Sequence, residues 1–73
     1  MSQPLNSQLA ANYLRDLGPL LVQRLAEATS ETTGPFEQGR GFGLAESVSL
    51  MWQQAISFGI DPQSLGLPAE DPL

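Results

Sequence analysis

Cysteine, histidine and lysine are all missing from this chain, whose three basic residues are Arg15, Arg24 and Arg40. Without cysteine there is neither a disulfide framework nor a thiolate zinc site to staple a small fold. Without histidine, cysteine or lysine, the usual nucleophiles, Schiff-base formers and near-neutral bases are gone. The eight carboxylates are scattered and show no calcium-loop spacing. These gaps predict a protein that is not an enzyme, with no catalytic, cofactor-binding or metal-binding residues. Positive charge is scarce as well, and a net charge of −5 argues against a surface that tracks phosphates, because nucleic-acid affinity comes first from cations that displace counterions. The same sign disfavours an anionic membrane, and no apolar run approaches the roughly 20 residues that span a bilayer. Met1 is followed by polar residues and an early proline, so no secretory signal is visible and the expected location is cytoplasmic.

What the chain does have is helical periodicity. Leu44, Val48, Met51, Ala55 and Phe58 step by four, three, four and three, the spacing of one helix face, with Trp52 and Ile56 on a flank. The helix is expected to stop at Gly59, a residue that adopts a left-handed conformation at little cost, with Ile60 folding back onto the last turn. Ala10, Leu14, Leu17, Leu21, Leu25 and Ala28 form a second stripe, flanked by Leu9, Tyr13 and Leu20. Asn6 or Ser7 is its expected N-cap. Gly18-Pro19 interrupts this run, yet the stripe keeps its phase, which predicts one kinked helix or two nearly collinear ones.

The expected fold class is therefore all-α, a small helical hairpin or bundle within a single domain, residues 1–73. It comprises a kinked or broken helix near 7–28, one long central helix over 44–58 and a short turn from Asp61-Pro62. Residues 29–43, with Gly39, Gly41 and Gly43, read as a Gly-rich loop, and 69–73 as a frayed tail. At 73 residues without staples, a single core leaves only a few kcal/mol of net stability, which points to a partner protein or a homodimer.

Two local patterns resemble known sites. Gly39-Arg40-Gly41-Phe42-Gly43 ahead of a helix is the nearest thing to a phosphate cradle, but no strand precedes it and the Lys-Ser/Thr of a P-loop is missing. A flexible hinge is the expected role. Ser64-Leu65 after Asp61 resembles, over a few residues, the phosphopantetheine-bearing serine of acyl carrier proteins. That motif has Asp directly before the serine and a long helix after it, whereas here Gln63 precedes Ser64 and Gly66 follows the next residue.

Large aromatics dominate interface energetics, so Trp52, Tyr13, Phe36 and Phe42, joined by Arg40 and Ile56, are the expected partner-binding residues. Phe36, held behind Gly34-Pro35, is expected to pin the loop to the core, and Phe42 to meet a partner. The expected function is a small acidic helical interaction module that regulates or inhibits a larger protein. In style, over the whole chain and without a specific motif, it is similar to bacteriophage accessory products that redirect host machinery such as transcription. The alternative is an acidic decoy that mimics nucleic acid and blocks the basic channel of a polymerase or nuclease. Neither reading includes direct nucleic-acid or membrane binding. DNA binding through a helix-turn-helix would need a basic recognition helix, and Leu44 to Phe58 carries no cation.

Overall fold

The computed structural model describes residues 4–30 and 34–73, which are helical or irregular with no strand. Helix α1 spans Ser7–Ser30, helix α2 spans Pro35–Ser57, and a 3₁₀ turn covers Pro62–Leu65. The helices form a small antiparallel hairpin: Gly41 meets Ala28 near the connection, while Leu14 and Ala55 line one cleft at the far end.

Helix α1 starts where the cap predicts, with Asn6 Oδ1 accepting the Leu9 amide at 2.8 Å. It then runs through Gly18-Pro19 as one helix, so of the two expected forms the single helix is found and not the collinear pair. An interior proline forfeits a backbone hydrogen bond and costs about 3 kcal/mol. Gly18 removes the Cβ that would crowd the proline ring, and tertiary contact supplies the rest. A Cβ on Gly18 would overlap the Leu65 carbonyl oxygen, and one on Gly66, whose φ is +73°, would lie 2.9 Å from Pro19 Cδ. The dipeptide that looks like a helix breaker is the seat on which the Leu65-Gly66-Leu67 turn docks.

Helix α2 begins at Pro35, nine residues before the expected Leu44, and this overturns the Gly-rich loop at 29–43. Thr29 and Ser30 close α1, residues 34–43 form the cap and first turns of α2, and 31–33 lie outside the described residues. Gly34 is an extended N-cap followed by Pro35 in the first turn, a strong helix start. Gly39 and Gly43 face open space and weaken the helix by about 1 kcal/mol each relative to alanine. Packing overrides that cost. Gly41 is buried, and a Cβ there would sit 3.9 Å from Ala28 Cβ and 3.8 Å from Thr29 Cγ2, so the two backbones approach closely.

Helix α2 ends as expected at Gly59, φ +73°. The Ile60 amide donates to the Ala55 carbonyl and the Gly59 amide to that of Ile56, which satisfies two orphan acceptors of the last turn. Phe58, expected on the buried stripe, is 75% exposed, because it is the C-cap residue where the helix gives way to the turn. Val48, Ala55, Leu65 and Leu67 form the buried cluster, with Leu14, Leu21, Val22, Leu25, Met51 and Trp52 packed around it.

Residues 69–73, expected to fray, are held to α2 through Asp71, with Pro68 tied just before them. Trp52 Nε1 donates to the Pro68 carbonyl at 3.1 Å, Gln53 Nε2 donates to Asp71 Oδ2 at 3.1 Å, and Asp71 Oδ1 accepts the Leu73 amide at 3.0 Å.

Candidate partner-binding groove

The C-terminal segment fills only part of the channel between the helices. On α1, Gly18, Val22, Leu25 and Thr29 lie in one row at steps of four, three and four. The segment occupies the Gly18 end of that row and leaves the channel at Trp52, its last residues passing to Gln53 and the outer side of α2. Past that point the same channel is open, as a depression of about 310 Å³ lined by Leu25, Ala28, Thr29, Gln38, Gly41, Phe42 and Ala45. Its floor is Ala28, with no exposure, and Gly41, while Phe42 stands at its edge 60% exposed. Backbone polar groups there are consumed by the two helices, so the depression offers apolar contact and little else.

Of the residues the sequence singles out, Phe42 is at this groove and Arg40 is on the same turn of α2. Arg40 lies 3.8 Å from Glu37 in an exposed pair of the kind worth at most about 1 kcal/mol. Trp52 is half-buried and serves as the brace of the C-terminal segment. Ile56 is exposed, two helical repeats from Phe42 on the same flank of α2. Tyr13 lies on the far side of α1. Phe36 is 80% exposed and pins nothing, which corrects the expected split between a structural Phe36 and a partner-facing Phe42. The six are therefore not one patch.

Leu25, Ala28, Gly41 and Ala45 are the groove residues that sequence reasoning missed. A signal existed: the α1 stripe continues to Ala28, and a partner helix starting only at Leu44 is too short to cover it.

Other chemistry is absent from the described residues. No cluster of acidic side chains is arranged to hold a metal ion, and no helix is long and apolar enough to cross a membrane. Ser64 Oγ donates to the Asp61 carbonyl at 2.6 Å within a single turn, and Asp61 caps that turn by accepting the Gln63 amide. Asp71 has a lowered pKa. Hydrogen bonds from Ser49 first and then from the Leu73 amide hold it below the ordinary carboxylate value against an opposing desolvation, with Gln53 adding the least. No protein-family model matches the chain, and comparisons with curated proteins and with solved structures find no match.

Proposed function

We propose that this chain is a non-catalytic helical interaction module that regulates or inhibits a larger protein by docking an apolar side chain or helix of that protein in the open end of its interhelical channel. One observation carries the reading. The channel is closed by Leu65 and Leu67 at one end and left uncovered at the other, above a buried floor and beside an exposed Phe42. An exposed aromatic next to a preformed apolar depression is the composition of an interface anchor.

The decoy alternative gains less support. A nucleic-acid mimic needs its carboxylates free and in rows, whereas Asp61 caps a turn, Asp71 holds the tail and Glu37 faces Arg40. An ordering by salt distinguishes the two. The test is to capture partners with a photo-crosslinking residue at position 42, using position 24 as control, and to measure affinity for the partner so identified. Phe42→Ala is expected to weaken that binding by roughly 30-fold, about 2 kcal/mol, with an unchanged melting temperature. Affinity is expected to change little with ionic strength, whereas a decoy would lose most of it.

A further inference from the structure

The far end of the hairpin, remote from the groove beside Phe42, has a depression of different chemistry. A trough of about 390 Å³ runs along α1 from Ser7 to Arg15, with Ala10, Ala11 and Leu14 on one side and Ile60, Ser64 and Leu65 on the other. Eight residues of helix make it about 12 Å long, and its volume is within the range that holds small ligands. Leu14, Ile60 and Leu65 also border a neighbouring cleft of about 180 Å³ that reaches Met51 and the exposed Phe58. Among the described residues, Arg15 is the one charged side chain in either lining. It is exposed and makes no ion pair with any described residue.

We propose that this trough binds a medium-chain aliphatic carboxylate, with the carboxylate on the Arg15 guanidinium and the alkyl chain laid over Ala11 and Leu14 against Ile60 and Leu65. The walls select an alkyl chain over a peptide. On the α1 side the backbone is consumed by the helix, and on the other the Ile60 and Ser64 amides donate to the Ala55 and Asp61 carbonyls. The Ser64 hydroxyl is likewise committed to the Asp61 carbonyl. A peptide laid in the trough would lose hydration from its amides and find few partners for them, whereas an alkyl chain has no such groups. Arg15 selects the head group. A guanidinium presents paired N–H donors that match a carboxylate, and nearby acids leave it free. Asp61 accepts the Gln63 amide and is not part of the lining. Asp16 lies 100° further around α1, on the side away from Ala11 and Leu14. The net charge of −5 does not forbid an anion here, because at about 0.15 M salt the screening length is about 8 Å and only charges close to the head group act on it.

This inference does not rest on the groove and its partner. An NMR titration of the full chain with octanoate, at about 0.15 M sodium chloride, is expected to shift amides gathered at residues 10–15 and 60–65. Octanoate is expected to bind more tightly than hexanoate, by about fourfold for each methylene fully buried. Arg15→Gln, a change at an exposed position without an ion pair, is expected to weaken octanoate by about fivefold, the upper range for an exposed ion pair, and to leave octanol unaffected. Ala11→Leu fills the trough and is expected to weaken both probes while melting no lower than the parent, since leucine is also a good helix former. Titration shifts centred on Phe42 and Ala28, no shifts at all, equal affinity for hexanoate and octanoate, or an Arg15→Gln variant that binds octanoate as the parent does would each overturn the proposal.

Discussion

Glycine has two opposite roles in this chain, and substitution tells them apart. Gly18 is pressed against a backbone carbonyl that cannot move without unseating the Leu65–Leu67 turn, so any side chain there collides. Gly18→Ala is expected to destabilise by about 1–3 kcal/mol, even though alanine is the better helix former. Gly39 sees nothing within 4 Å. Gly39→Ala is therefore expected to stabilise by about 0.5–1 kcal/mol by helix propensity alone. Urea titration of both variants checks the pair, and equal signs would contradict the docking seat. Trp52 supplies a second residue-scale test, since its indole N–H ties the body of α2 to the Pro68 carbonyl. Trp52→Phe keeps most of the ring but loses that bond, for an expected cost of about 0.5–1.5 kcal/mol in the same titration.

The C-terminal segment is the element that completes the core, and its final residues carry a pH signature. Asp71 is held below its ordinary pKa in the folded state, so the unfolded chain takes up its proton first as pH falls. The stabilisation it gives is fully present above the unfolded value, about 3.9, and is lost as pH drops through the lowered folded value. The melting temperature of Asp71→Asn is therefore expected below that of the parent at neutral pH, with the gap closing as pH falls below about 4. A gap that widens with acid would refute the tail's attachment through its carboxylate. These elements differ in how plainly the sequence shows them. Both apolar stripes, the Asn6 cap and the Gly59 stop are local signals, and all appear in the structure. The first turns of α2 were hidden because Gly39, Gly41 and Gly43 oppose helix by propensity, and only the contact of Gly41 with Ala28, thirteen residues away, compensates. The groove vanished with them, since Gln38, Gly41 and Phe42 of its lining belong to those turns. The tail's bonds from Trp52 and Gln53 span 16 and 18 residues, a separation at which no sequence period operates.

At the scale of the whole molecule, charge is unbalanced and mostly unpaired. The chain has eight carboxylates and three arginines, and the described residues contain a single ion pair, the exposed Glu37–Arg40 contact at 3.8 Å. Folding brings the excess negative charge within a body 42 Å long, which raises the electrostatic energy of the compact state over that of the open chain. At about 0.01 M ionic strength the screening length is about 30 Å, so carboxylates across most of the molecule repel one another; at about 1 M it is near 3 Å and only immediate neighbours do. Screening therefore removes more repulsion than attraction. Sodium chloride is the appropriate salt, because sulfate strengthens apolar burial by a separate route. The melting temperature is expected to rise between these two concentrations, by several degrees if about 1 kcal/mol is relieved in a chain of this size. A fall would mean that attractive contacts outweigh the net charge, and would require ion pairs beyond Glu37–Arg40. Neutralising Glu46→Gln, an exposed change on α2, is expected to give a smaller rise of the same sign at low salt and almost none at high salt, since screening leaves little repulsion for it to remove.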